Sequence, residues 1–341
     1  QTSNKGVEIA LQGVLVKTRD WNVTAGFNIN FNRGKVDKLA DNVTGLYGTE
    51  WATSSTFPKS DYVLKEGRPV GLVRGLTADG FYTTDDFTYE NGVYTLKKGV
   101  ADVSSAVFPN YHLHNGINER PAGQLAYPGM AKFKDLNDDG IINDDDVDVI
   151  GDMTPVHTGG FNINATYKNF DLGLYFNWSY GNEIYNVNKL AALYGYKEGA
   201  VYENKLSIVK DCYKIYDVVN GELVALTTPE QLNAANANAK LPLAYSENGY
   251  VSTLGIEDGS YLRLNTLTLG YTLPKSILQK AGISNLRVYG SIYNVFTITG
   301  YSGIDAEVST STSTKTYPQL GMDWGTYPRA RSFVLGVNLS F

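Results

Sequence analysis

The chain has 341 residues and a formal net charge of −6, from 29 Lys and Arg against 35 Asp and Glu. That balance excludes the basic footprint of a nucleic-acid binder, and the single Cys212 excludes an internal disulfide framework. No run of about 18 apolar residues exists, so no transmembrane helix is encoded; membrane strands stay open, because they carry apolar residues only at alternate positions.

Residues 6–16 begin an alternating pattern with Val7, Ile9 and Leu11, and its phase blurs at Val14 and Val16, which predicts a bulge or strand end. A polar turn at 17–20 leads into the clearest alternation of the chain. Trp21, Val23, Ala25, Phe27, Ile29 and Phe31 fall on one face, and Asn22, Thr24, Gly26, Asn28, Asn30 and Asn32 on the other. This run is about twice the usual strand length of about 5–6 residues. Residues 34–157 are polar, rich in Gly, Asp and Tyr, and without sustained periodicity, so they read as a long loop with short strands or turns inside it. Strands resume at 159–167, turn at Lys168 and Asn169, and return over 170–180. A second long insert covers 182–257, with fair helical propensity at 231–240. A strand at 258–271, a two-turn helix at 274–282 with Pro first and Gly last, and a partner strand at 285–297 follow. Residues 298–328 form a third loop.

The chain closes on a strand whose odd positions Phe333, Leu335, Val337, Leu339 and Phe341 are apolar, while Gly336, Asn338 and Ser340 on the other face are small or polar. The reading is all-β, with about seven long antiparallel strands and connections that alternate short and long. Short periplasmic turns and long extracellular loops give an outer-membrane barrel this asymmetry. Seven strands cannot close a membrane barrel, because an open edge in hydrocarbon leaves backbone groups unpaired. The expectation is therefore a cut or processed piece, with its missing strands supplied upstream or by another chain. A secreted, calcium-dependent, carbohydrate-binding β-sandwich and a passive porin are the alternatives. The many aromatic residues, Tyr 25 and Phe 13, suit both a membrane-interface belt and a sugar-stacking surface.

Several stretches carry a family resemblance: 4–8 (Asn-Lys-Gly-Val-Glu), 65–71 (Lys-Glu-Gly-Arg-Pro-Val-Gly), 132–140, 179–186, 258–264 (Asp-Gly-Ser-Tyr-Leu-Arg-Leu), 270–274, 294–297 and the terminal strand. In this order they resemble the C-terminal part of a SusC/RagA-type TonB-dependent outer-membrane transporter. The resemblance implies that 1–341 is an incomplete segment of a 22-stranded barrel, with 34–157 as an extracellular loop region and the plug domain elsewhere. It also implies a SusD-like surface lipoprotein as partner, a dimer of such pairs, TonB engaged through the missing N-terminal part, and a glycan or peptide substrate. The chain would be no enzyme and would lie in outer-membrane lipid.

One motif carries chemistry of its own. Asp135, Asn137, Asp139, Ile141 through its carbonyl and Asp146 match the spacing of a calcium loop, with Gly140 at the sharp turn, so Ca²⁺ is the expected cofactor. Asp146 replaces the usual Glu, the flanks lack helices, and a solvated acidic turn is the other reading. Trp51, Tyr317 and Trp324 are stacking candidates for substrate by residue type. His112, His114 and His157 are too dispersed for a metal site.

Overall fold

The computed structural model describes residues 1–53, 56–108, 119–194, 206–244, 249–279, 282–309 and 319–341. Seven long strands pair in chain order into one antiparallel sheet: β1 (Thr2–Lys17), β2 (Trp21–Val36), β3 (His157–Tyr167), β4 (Phe170–Tyr180), β5 (Tyr261–Thr272), β6 (Asn285–Thr299) and β7 (Ser332–Ser340). No second sheet covers this one among the described residues, which removes the sandwich alternative. β1 and β7 are its open edges.

The register joins the apolar alternations into one continuous face. Ala25 pairs with Ile163, Ile163 with Leu174, Leu174 with Leu267, Leu267 with Ile292, and Ile292 with Phe333. This face is bare, with Leu335 89% and Phe341 87% exposed. An apolar surface of that extent is intolerable in water and normal against lipid. Aromatic rings gather near both ends of it. Trp21 meets Tyr167 at 4.4 Å and Phe170 meets Tyr271 at 4.7 Å beside the short turns, while at the other end His157 stacks on Tyr180 at 5.0 Å and meets Phe31 edge-on at 5.4 Å. From Trp21 to Phe31 a tilted strand climbs about 25 Å, the height of the apolar band of an outer-membrane barrel.

Two devices bend the sheet. The expected irregularity falls between Val14 and Val16 in the β1–β2 pairing. A second bulge places Asn265 between Leu264 and Thr266, out of step with β4 on one side and β6 on the other. Bulges of this kind increase twist and help a sheet curve towards closure.

Elsewhere the structure amends the sequence reading. The strand expected at 258–271 is two pieces, Ile256–Asp258 in the cap and Tyr261–Thr272 in the wall. The helix expected to reach Gly282 is a single turn, Lys275–Leu278. The propensity at 231–240 does yield a helix, Pro229–Asn236, started by Thr228, whose hydroxyl accepts from the Gln231 N–H while the Gln231 side chain accepts the Thr228 N–H. A helix over Val187–Tyr194 is present where the sequence pattern predicts only loop.

The largest difference concerns the long loops. They build the protein's main hydrophobic core, in which Val73, Leu76, Tyr82, Tyr94, Tyr127, Ile142, Tyr185, Leu190, Leu232 and Val251 are buried and to which β1–β7 contribute nothing. Short sheets hold this cap together. Val147–Asp152, Leu72–Leu76, Tyr62–Leu64 and Leu46–Gly48 form one, and Glu183–Asn186 joins Ile256–Asp258 to Met322–Asp323 in another. The second of these ties the second loop to the third. Hydrophobic side chains outside the bilayer have no lipid to face, so they must cover one another.

Replacing Val337 by Arg puts a charge on the lipid face and is expected to cost about 2–4 kcal/mol near the midplane. Asn338→Asp, on the inner face opposite Arg287, is expected to be close to neutral. Unfolding of the intact protein in lipid vesicles checks the pair, and equal sensitivity at both positions would contradict the assigned faces.

Candidate functional site

The inner face of the sheet is the first part of the site. Long polar side chains lie flat across glycines of neighbouring strands there. Arg287 donates from Nε and Nη2 to the Asp171 carboxylate at 2.8 and 2.5 Å, and the pair closes over Gly270, where a Cβ would sit 2.5 Å from both partners. Arg287 also covers the Tyr289 ring at 4.8 Å, and Tyr289 in turn fills the space above Gly336. Tyr175 donates to Asn164 at 3.1 Å, and the Thr268 and Ser291 hydroxyls meet at 2.8 Å. The result is a hydrogen-bonded polar wall, suited to line a hydrated interior.

The second part is the junction between wall and cap. Arg263, only 3% exposed, leaves β5 on the inner face and pairs with Asp305, with Glu307 at 3.1 Å and with the Thr297 hydroxyl at 2.9 Å. Arg329 reaches the same two acids at 3.4 and 2.9 Å, so two guanidiniums balance two carboxylates. The third loop is thereby pinned inward against the barrel wall. Beside it, Glu257 accepts from Lys189 at 3.1 Å, Asn186 at 3.2 Å and Ser302 at 2.9 Å. Burial alone would push this carboxyl up, but the Ser302 and Lys189 donors together outweigh it and hold Glu257 below the usual carboxylate range. A cavity of about 700 Å³ opens next to this network, between the start of the Val187–Tyr194 helix, residues 206–211 and the third loop.

No protein-family model matches the chain. Among curated proteins it is 29% identical over its whole length to TonB-dependent receptor P3 of Formosa agariphila, and 26% identical over 99% of its length to TonB-dependent receptor SusC of Bacteroides thetaiotaomicron. The RagAB peptide importer in its closed-closed state matches the whole fold with a TM-score of 0.65 at 21% identity. Over its whole length the chain is similar to SusC/RagA-like TonB-dependent receptors. It spans 29%, 26% and 30% of the length of these three relatives. The TonB-dependent receptors it matches are receptors and not enzymes, in line with a non-catalytic role.

The sequence-selected residues are scattered. Asp135, Asn137 and Asp139 share one turn, with Asp138 at φ 59° and Gly140 at φ 86°. Their side chains accept the loop's own N–H groups: Asp135 takes Asp139 and Gly140, and Asp139 takes Ile141. Asp146 is fully buried and accepts from Leu136 at 2.7 Å and Asn143 at 2.8 Å. Among the described residues no three His, Cys, Asp or Glu side chains converge as a metal-holding group. Trp51 packs inside the cap against Gly249 and the Tyr185 ring, and its N–H reaches the buried Asp61 at 2.8 Å. Burial pushes the Asp61 carboxyl up, although the Ala52, Glu50 and Trp51 N–H groups pull the other way. Trp324 is half exposed, and Tyr317, His112 and His114 lie outside the described residues. His157 accepts the Trp178 indole N–H at 3.1 Å within the aromatic belt.

The residues missed by sequence are Arg263, Asp305, Glu307, Arg329 and Asp323. Only Arg263 left a trace, as a lone charge between Leu262 and Leu264. Arg263→Ala would leave Asp305 buried beside Arg329 alone, with an expected local cost of about 3 kcal/mol. Hydrogen exchange on the intact receptor should then show lost protection across 301–309 while β7 stays protected. Unchanged exchange in the third loop would refute the pinning role.

Proposed function

We propose that the chain forms part of the wall and mouth of an outer-membrane importer that takes up oligosaccharides or other large nutrients, peptides included, and is driven through TonB. The observation that carries this reading is the bare apolar face continuous over seven paired strands, backed by a polar inner wall and capped at one end by folded loops. The similarity to TonB-dependent receptors favours gated import over a passive porin. A SusD-like lipoprotein over the cap, and a dimer of such pairs, belong to the same reading. The match to SusC and to RagAB supports the lipoprotein partner.

Cells expressing the intact receptor should accumulate labelled oligosaccharide or peptide, and collapse of the inner-membrane proton gradient should abolish accumulation. The lipoprotein should copurify from outer membranes. Accumulation that survives loss of the gradient would support a porin instead.

We further propose Ca²⁺ in the 135–146 turn. Oxygen-only donors at calcium-loop spacing, with two left-handed residues in the turn, support it. Calorimetry on the intact receptor should detect one Ca²⁺ bound and none after the double change Asp135→Ala, Asp139→Ala. Absence of binding to the unaltered receptor would leave the turn as a self-satisfied acidic loop.

A further inference from the structure

The cavity between the second and third loops has Asp323, Asp211 and Lys189 among its described lining residues. Asp323 lines it and is 2% exposed. Its carboxylate accepts the Tyr301 hydroxyl at 2.6 Å and the Thr326 N–H at 3.4 Å, both neutral donors. None of the ion pairs among the described residues includes it. Taking a carboxylate out of water costs several kcal/mol unless a cation and further hydrogen bonds compensate. Lys189 also lines the cavity but is held by Glu257 at 3.1 Å. Asp211 adds a second negative charge to the lining. The opposite character comes from Leu206, Ile208 and Ile304, which supply aliphatic surface, and Ile304 stands 67% exposed.

We propose that this cavity holds the side chain of a lysine in a peptide cargo, with its ammonium on Asp323. This rests on the import reading above and names a substrate feature for it. A lysine stem covers apolar surface while its head carries the charge, which matches an aliphatic wall leading to a carboxylate. Both Asp323 oxygens already accept a donor, which suits the single-point contact of an ammonium better than the two-point fork of a guanidinium. Among the described residues no aromatic ring is in the lining to stack the face of a sugar, so a glucosamine oligomer, which also bears amines, fits less well. A volume of about 700 Å³ leaves room for the flanking peptide backbone.

The test is equilibrium binding of a labelled short peptide, one lysine flanked by glycine and serine, to the intact receptor in detergent. Acetylating the lysine Nε, which removes the charge without altering the protein, should weaken binding about tenfold or more. Asp323→Asn should weaken the unmodified peptide to a similar degree and the acetylated peptide little further, since the two changes remove one interaction. Equal affinity of the unaltered receptor for both peptides would overturn the proposal. So would tighter binding of a glucosamine oligomer than of the lysine peptide. Binding requires neither TonB nor a proton gradient. Indifference to acetylation alongside gradient-driven uptake would therefore sink only the lysine pocket, and selective binding without uptake only the import reading.

Discussion

Backbone hydrogen bonding in hydrocarbon governs this chain. Every N–H and C=O at membrane depth needs a partner within protein, because each unpaired group costs several kcal/mol there. Six pairings within the β1-to-β7 meander satisfy twelve of the fourteen strand edges, and the outer edges of β1 and β7 remain open. Those edges call for further strands in any assembly that places this sheet in a bilayer. The length of the chain beside its relatives is consistent with that demand.

Once the strands must pair, the two faces of the sheet follow different chemistry. The outer face needs only apolar surface, and the solvent covering it is lipid, so it has no packed core of its own. The inner face replaces bulk water with a lattice of side-chain hydrogen bonds laid over glycines, as with Asp171 and Arg287 across Gly270. A Cβ at Gly270 would collide with both partners, so the small residue on β5 and the ion pair between β4 and β6 depend on one another.

The cap obeys ordinary aqueous folding. Its core draws on all three long connections, and Tyr62 bonding the Leu320 carbonyl at 2.8 Å spans most of the chain in one contact. Because the cap is a folded body, the charged junction at Arg263 matters: it fixes how that body sits on the wall. The cavity beside Asp323 lies where the second and third loops meet, a place that exists only after the cap has folded.

By itself the sequence determined the strand faces, the turn positions and the parity of short and long connections. A period of two is a local property: Trp21 to Phe31 announces its lipid side without reference to any partner. The bulge near Val14 was legible for the same reason, since a bulge is a break in that period. Tertiary structure alone decided the cap. Its strands are two to six residues long, too short to show a period, and its buried tyrosines look no different in sequence from surface ones. The site charges were hidden more deeply still. Arg263 lies 42 residues from Asp305, and Asp323 lies 22 from Tyr301. Such pairs form because the third loop folds back onto the wall, and nothing in the local pattern of either residue encodes that return.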